Sequence, residues 1–306
     1  MAEPRALPAG VQVFERGWLS ANNILLADAQ SATLVDTGYV KHAEQTLALV
    51  GQALAGRPLD RLVNTHLHSD HCGGNAALQA HYPAAQTLIP PGEAEAVKAW
   101  DAQRLSYHPT GQNCPPFRCD GLLQPGQTHR WADLEWEVHA APGHDPHSVI
   151  LFAPEARVLI SADALWEKGF GVVFPELVEQ AGFEDVARTL DLIESLQPHT
   201  IIPGHGAVFH ALAPALSEAR RRLEGFARHP ERHSRYGAKV LMVFKMLELE
   251  QIERADFARW ARQVPYLLAM HRRHGLGLPL DDWLTLLLDE LQQSGAVRSE
   301  GQRLHA

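Results

Sequence analysis

The sequence predicts an α/β fold followed by a mostly helical C-terminal segment, and three observations support this prediction. Apolar runs of strand length alternate with helical patterns as far as residue 211. Beyond that point apolar side chains recur at helical spacing. The charge balance changes at the same place, because residues 1–213 contain 12 basic and 24 acidic residues, whereas residues 214–306 contain 15 and 12. We therefore expect two domains, residues 1–213 and residues 214–306.

The predicted elements of the first domain follow from apolar periodicity and turn residues. Apolar runs predict strands at residues 11–15, within 23–36, and at 62–63, 86–89, 134–140, 149–152, 158–160 and 200–202. Helical spacing predicts helices at residues 42–54, 75–81 and 183–196. Residues 101–126 are rich in Pro, Gly and Cys without a clear period, which predicts a loop.

The second domain is predicted to be helical. Its expected helices cover residues 212–228, 236–247, 252–260, 266–273 and 281–293, and a small two-stranded wing follows at 294–304. Helices followed by a wing resemble a winged-helix module. Tyr236, Val240, Phe244 and Leu247 form an apolar stripe, which needs a partner surface. We expect this domain to cap the active site.

Composition excludes several classes of protein. Of the 306 residues, 45% are hydrophobic and 21% are charged, which excludes disordered and collagen-like chains. The sequence has no run of about 18 uncharged apolar residues, which a transmembrane helix would need. The N-terminal segment also lacks the pattern of a secretory signal. The three cysteines argue against a disulfide scaffold and for a reducing compartment. Together these features predict a cytoplasmic protein.

The strongest chemical signal is the run His66-Leu-His68-Ser-Asp70-His71. Four liganding side chains within six residues suit a loop folded around metal, and the two glycines that follow permit a tight turn. His66 and His68 can face one ion on an extended backbone, while Asp70 and His71 turn toward a second. Imidazole and carboxylate ligands without thiolate suit Zn²⁺, with Fe or Mn as alternatives.

Three further candidate ligands, His144, Asp163 and His205, each follow or end a predicted strand. Both histidines stand directly after a Pro-Gly pair. Loops at the edge of a sheet would present all three side chains to a common cleft. The sequence therefore predicts that they join the four residues of the His66–His71 run.

These motifs, together with Asp36, resemble those of the metallo-β-lactamase superfamily over roughly residues 10–210. The resemblance implies a four-layer αββα sandwich with two metal sites. The implied ligands are His66, His68 and His144 for the first ion and Asp70, His71 and His205 for the second. Asp163 would bridge the two ions, and Asp36 would hold the ligand loop by hydrogen bonds without touching a metal.

Asp163 narrows the reaction class that the resemblance implies. The true β-lactamases of the family have Cys or Ser at this position, whereas glyoxalase II-like thioesterases, lactonases and RNA-processing nucleases share Asp. His68 stands where the flavodiiron oxygen reductases usually have Glu, which disfavours a redox role. We therefore expect a hydrolase of a small ester or thioester, in which a hydroxide between two metal ions attacks and Asp70 orients it or carries its proton.

Two alternatives stay open. One is an endoribonuclease with the same dinuclear site, and the other is a winged-helix nucleic-acid-binding regulator with a sensor domain. Against both, the consecutive Arg220, Arg221 and Arg222 cannot share one helix face, which is typical of a solvated surface. We expect two Zn²⁺ per chain, a small-molecule substrate and no membrane contact, and a homodimer is compatible with the sequence.

Four residues are candidate substrate contacts. Trp166, Phe170 and Phe174 lie in an aromatic and Gly-rich segment after Asp163, which could form a pocket wall or pack beneath the C-terminal domain. His147 replaces a glycine that is common in the family, so it either contacts substrate or hydrogen-bonds within its loop.

Overall fold

Two β-sheets form the centre of the first two thirds of the chain in a computed structural model, which describes residues 6–306. The first sheet has six strands in chain order: β1 Val11–Phe14, β2 Asn23–Ala27, β3 Ala32–Val35, β4 Arg61–Val63, β5 Gln86–Ile89 and β6 Gly121–Leu122. The second has five strands: β7 Thr128–Trp131, β8 Leu134–Ala140, β9 Val149–Ala153, β10 Val158–Ala162 and β11 Thr200–Pro203. Residues 1–5, where the predicted first domain and its N-terminal segment begin, lie outside the described residues.

Eight α-helices lie between or after these strands within the described residues 6–228. In chain order they are α1 Ala43–Leu54, α2 Ser69–Cys72, α3 Asn75–His81, α4 Ala94–Ala99, α5 Tyr107–Thr110, α6 Phe174–Leu177, α7 Phe183–Leu196 and α8 Leu212–Arg228. Of these, α1 and α3 cover the first sheet, and α7 and α8 cover the second. All the predicted strands and all three predicted helices of this region are confirmed, and β7 is a strand that was not predicted. The loop predicted at residues 101–126 contains α5 and β6, which are too short to show a period.

Side-chain alternation along the strands builds the layers. On β3, Val35 packs between the sheets, whereas its neighbour Leu34 packs against α1 and α3. On β9, Leu151 faces the space between the sheets and Ile150 packs with α7 and α8. The order is therefore helix, sheet, sheet, helix, and the predicted α/β class with a mostly helical C-terminal region is confirmed.

The C-terminal region packs around its own apolar cluster. Its elements are α9 Pro230–Leu249, β12 Gln251–Glu253, α10 Arg254–Ala261, α11 Pro265–His274, α12 Leu280–Gln293, β13 Arg298–Glu300 and β14 Arg303–His305. The predicted wing is the β13–β14 hairpin, to which β12 adds a third antiparallel strand. The helix predicted over residues 252–260 therefore starts too early, because residues 251–253 pair with a strand about fifty residues further along the chain.

The predicted boundary at residue 213 falls at the start of α8. The buried face of this helix, including Ala215 and Ala219, packs with α7 on the second sheet. The cluster of the C-terminal region begins with α9 and also includes Val172 and Leu177. The division into two domains stays a prediction. In the part of the chain that the structure describes, no helix has the length and apolar character needed to cross a membrane.

Candidate active site

The predicted ligands lie at one edge of the paired sheets. Asp36 follows β3, the His66–His71 run follows β4, His144 follows β8, Asp163 follows β10 and His205 follows β11. Because these strands share a direction within each sheet, their carboxyl ends present the loops to one cleft. The His66–His71 run is partly helical rather than a loop, since α2 begins at Ser69 with His68 as its N-cap residue.

Three groups of side chains bring their ligand atoms within 4.8 Å of one another. The groups are His66, His68 and His144; His66, His71 and Asp163; and Asp70, His71 and His205. All seven residues expected as metal ligands therefore belong to a single cluster. The groups share members, so two cations could be held side by side.

The first group converges through ring nitrogens. His68 Nδ1 lies 2.8 Å from His144 Nε2. His144 Nδ1 donates a 2.6 Å hydrogen bond to the carbonyl of Val172, so its Nε2 carries a lone pair. His66 Nε2 is buried and has no hydrogen-bond partner among the described residues. A buried nitrogen without a partner is costly, and a cation placed between the three rings would satisfy it.

Asp163, a member of the second group, lies between the first group and the third. Its Oδ2 is 3.5 Å from His144 Nε2 and 3.9 Å from His205 Nε2, and its Oδ1 is 3.5 Å from His71 Nε2. On the far side, His205 Nε2 is 3.1 Å from Asp70 Oδ2. The Asp163 carboxylate thus faces His144 of the first group and His71 and His205 of the third, as a bridging ligand would.

Asp36 orients His71. Its Oδ2 accepts hydrogen bonds from His71 Nδ1 at 2.7 Å and from the Thr65 hydroxyl at 2.8 Å, and its Oδ1 accepts from the Thr65 backbone N–H at 2.9 Å. With Nδ1 donating, His71 Nε2 keeps a lone pair, and that atom also lacks a hydrogen-bond partner among the described residues. Asp36 therefore fixes the tautomer and ring position of a candidate ligand.

Two close approaches restrict the backbone around the cluster. A Cβ atom on Gly204 would lie 2.2 Å from Asp163 Oδ1, and one on Gly171 would lie 2.3 Å from His144 Nδ1. Both distances are well inside van der Waals contact. Only glycine leaves room for these two side chains in their observed positions.

Burial and charge set the protonation of the cluster. Burial lowers the pKa of His144 to about 4 and lowers that of His66 well below its ordinary value. Burial alone would lower the pKa of His71 as well, but three surrounding carboxylates together raise it well above the ordinary value. Burial would raise the pKa of Asp163, yet the nearby histidines hold it well below its usual range. His66 and His144 are therefore neutral beside the ionised Asp163, and the carboxylates that raise the pKa of His71 give the cluster a negative charge that bound cations would balance.

A cavity of about 440 Å³ opens over the cluster, within the usual range of small-molecule sites. Beside candidate ligands it is lined by Trp18, Gln112, Trp166, Val172, Phe174, Leu291, Ala296 and the α9 residues Tyr236, Lys239, Val240, Val243, Phe244 and Leu247. The apolar stripe of α9 therefore faces this cavity. The stripe also packs on the N-terminal part of the chain beside the cavity, where Phe244 contacts Tyr39.

The four predicted substrate contacts lie in three different places. Trp166 and Phe174 line the cavity. Phe170 does not, because it is buried with α7 and α8, where the Arg222 guanidinium lies over its ring. His147 is exposed and lines a second cavity of about 260 Å³ on the other side of His68.

Two features of the site were not predicted. The ring of Trp18 stacks on His205 at a centroid distance of 5.4 Å, although Trp18 stands in no motif. The peptide between Val172 and Val173 links the site to α9, because its carbonyl accepts from His144 and its N–H donates to His233 Nε2 at 3.1 Å. Neither contact has a local sequence pattern that would indicate it.

Comparison with known sequences reveals related proteins. A family profile described as "Metallo-beta-lactamase superfamily" matches residues 16–205, more than half of the chain. A hydroxyacylglutathione hydrolase of Synechococcus sp. strain JA-3-3Ab is 32% identical over 158 residues, which cover 51% of this chain and 53% of that protein. An acyl-coenzyme A thioesterase of Gallus gallus is 28% identical over 165 residues, covering 51% and 59%. The chain thus spans little more than half the length of these curated relatives.

A comparison with solved structures finds a similar fold over almost the whole chain, including the C-terminal region. A metallo-beta-lactamase family protein from Thermus thermophilus superposes with a TM-score of 0.57 at 21% identity, over 98% of this chain and 99% of that one. At this identity the likeness concerns the fold alone. The histidine and aspartate cluster is compatible with the dinuclear metal site of a metal-dependent hydrolase.

Proposed function

The chain belongs to the metallo-beta-lactamase superfamily, and from this premise we propose that it is a metal-dependent hydrolase of a small thioester or ester. The observation that carries the proposal is the cluster itself. Buried ring nitrogens of His66 and His71 lack hydrogen-bond partners among the described residues, and both belong to groups of ligand atoms around Asp163.

We assign the ligands as the sequence motifs suggest. His66, His68 and His144 would hold one ion, and Asp70, His71 and His205 would hold the other. Asp163 would lie between the two ions, and Asp36 keeps His71 in place. The donor set of imidazoles and carboxylates fits Zn²⁺, with Fe or Mn as alternatives. When bound, two such ions lower the pKa of water into the neutral range and polarise the carbonyl of the substrate.

In this scheme the side chains of the protein accept a proton and hold the candidate ligands in place. Asp70 has a carboxylate at the mouth of the cluster, 3.1 Å from His205 Nε2, where it can accept a proton from the attacking water. Trp18 and Trp166 pack on the ring of His205 and restrict its orientation. No serine or cysteine is among the described residues that line the cavity, so the proposal involves no covalent acyl-enzyme.

The relatives support a thioester as the substrate class. One is named for hydroxyacylglutathione hydrolysis and the other for acyl-coenzyme A hydrolysis, and both substrates are thioesters. An ester or lactone carries the same reacting carbonyl and stays within the proposal.

The two nucleic-acid alternatives lack comparable support. Arg220 is paired with Asp191 and Glu194, and Arg221 is paired with Glu218. Arg222 instead lies over aromatic rings, 4.5 Å from the centroid of Tyr236. None of the three is arranged as a free basic surface. The winged-helix assignment, a homodimer and a cytoplasmic location remain predictions from the sequence.

The proposal is tested with the full chain loaded with Zn²⁺. We expect thiol release from S-lactoylglutathione or from acyl-coenzyme A thioesters, its loss after chelation, and its return when Zn²⁺, Mn²⁺ or Fe²⁺ is restored. Single-stranded RNA serves as the comparison substrate. Cleavage of RNA together with intact thioesters and esters would contradict the proposal and favour the endoribonuclease alternative.

A further inference from the structure

One wall of the cavity over the cluster is almost entirely apolar. Along α9, the side chains from Tyr236 to Leu247 that face the cavity span about three turns, or about 16 Å of helix. Phe174 and Trp166 continue this surface toward the candidate ligands. A cavity of about 440 Å³ with such a lining favours an apolar group of matching size.

The basic side chain on the α9 wall of the cavity is paired within the protein. Apart from histidines, Lys239 is the one basic residue among the described residues that line the cavity. Its ammonium lies 3.2 Å from Glu290 Oε2, and Glu290 is also paired with Arg235. Among the residues that the structure describes, the α9 side of the cavity therefore offers no free cationic side chain to a phosphate or carboxylate, which argues against an anionic group at this wall.

The second cavity differs in polarity and adjoins the cluster at His68. His68 and Phe174 line both cavities. The second is lined by Glu93, Arg104 and Asp145, among others. A substrate with its carbonyl at the ligands thus has an apolar space on one side and a polar space on the other.

We propose that the α9 cavity binds an extended aliphatic acyl chain, so that the preferred substrates are thioesters of medium-chain or longer acids. The inference rests on the proposed function. The polar thiol portion of the substrate leaves through the second, polar cavity. Each methylene removed from water in such a cavity increases kcat/KM about fourfold until the space is filled. A small hydroxyacyl group gains nothing from this wall.

A chain-length series tests the inference. The Zn²⁺-loaded full chain is given acetyl-, butanoyl-, octanoyl- and dodecanoyl-coenzyme A below their aggregation concentrations. We expect kcat/KM to rise by at least about tenfold between butanoyl and octanoyl. Hydrolysis that is equal at all lengths, or fastest for acetyl, would overturn the acyl-chain inference and leave the proposed hydrolase intact. No hydrolysis at any length, nor of other thioesters and esters, would instead contradict the proposed function.

Variants of α9 locate the effect. Val243→Trp fills the cavity, so the ratio of kcat/KM for dodecanoyl to that for acetyl should fall at least about tenfold. Leu247→Ala widens the cavity and should move the optimum to longer chains. Leu249→Trp places the same bulk on the exposed end of the helix and should keep the wild-type profile. If both cavity variants keep the wild-type profile, the chain binds elsewhere and the inference is wrong.

Discussion

The ligand cluster and the apolar wall of α9 face each other across one cavity, yet they are built in different ways. The cluster comes from short segments at strand ends, and its members are fixed by buried hydrogen bonds such as that between Asp36 and His71. The wall comes from one long helix whose side chains are held by packing and remain half-exposed to the cavity. The comparison indicates that reaction chemistry depends on local motifs here, whereas substrate choice depends on how a distant helix packs.

Asp163→Ala should have the largest effect, because it removes the carboxylate that faces both groups of histidines. We expect loss of at least one ion and a fall in turnover of about 10³ or more, since metal ions supply several kcal/mol of transition-state stabilisation. Elemental analysis and thioester hydrolysis measure both quantities. His147→Ala is the control, because His147 is exposed and belongs to none of the three groups. Metal loss in His147→Ala would show that the ligand assignment is wrong.

Asp70→Asn separates proton transfer from metal binding. The amide keeps the shape and one oxygen but removes the negative charge, so we expect turnover to fall by about 10², as is typical when a general acid–base group is lost. Metal content should fall only in part. The exposed Asp282→Asn serves as a control for the charge change. Near-normal turnover in Asp70→Asn with a full metal load would contradict the role of Asp70.

Asp36→Asn tests the hydrogen bonds that hold the candidate ligand His71 in place, and it leaves the candidate ligands themselves unchanged. The amide cannot accept all three hydrogen bonds that reach Asp36, so His71 loses its fixed orientation. We expect metal affinity to weaken by about 10- to 100-fold, as measured by competition with a chelator. Asp60→Asn is a matched control, because Asp60 also accepts from a backbone N–H, that of Ala32, but lies away from the cluster. Equal affinities in the two variants would contradict the positioning role.

The sequence predicted the cluster better than the wall for a physical reason. The His66–His71 run is contiguous, and strand ends bring His144, Asp163 and His205 to the same edge whatever the details of packing. By contrast, the apolar stripe of α9 predicts only that another surface packs against it, and the sequence does not identify that surface. Trp18 gave no signal, since its position over His205 depends on how two distant loops fold together.

The difference between local patterns and tertiary packing also explains two predictions that failed, the substrate contact at Phe170 and the helix start at residue 252. Phe170 and Phe174 are four residues apart in one aromatic segment, but Phe170 packs under Arg222 and Phe174 faces the cavity. Likewise β12 forms only because β14 pairs with it. Local periodicity contains no information about either partner, so these features required the tertiary structure.

His233 joins the two regions through the Val172–Val173 peptide, and its effect should appear in the pH dependence of stability and not in turnover at neutral pH. Burial lowers the pKa of His233 to about 3, whereas an unfolded histidine titrates near about 6.5. The unfolded state therefore binds the proton first, so this group contributes stability above pH about 6.5 that is lost as pH falls toward 3. His233→Gln should reduce the decline in unfolding free energy below pH 6.5 by up to about 1.4 kcal/mol per pH unit. Urea unfolding at several pH values measures the unfolding free energy, and His108→Gln, at an exposed histidine, is the control. The same dependence of unfolding free energy on pH in the wild type and in His233→Gln would contradict the prediction.

The metal content of the purified full chain tests the central claim most directly. The three overlapping groups of ligand atoms around Asp163 predict about two ions per chain, measured by elemental analysis after gentle purification with parallel assays of thioester hydrolysis. Two ions, with activity lost on chelation and regained on reloading, is the expected result. Less than one ion per chain, with activity that survives chelation, would contradict the dinuclear hydrolase.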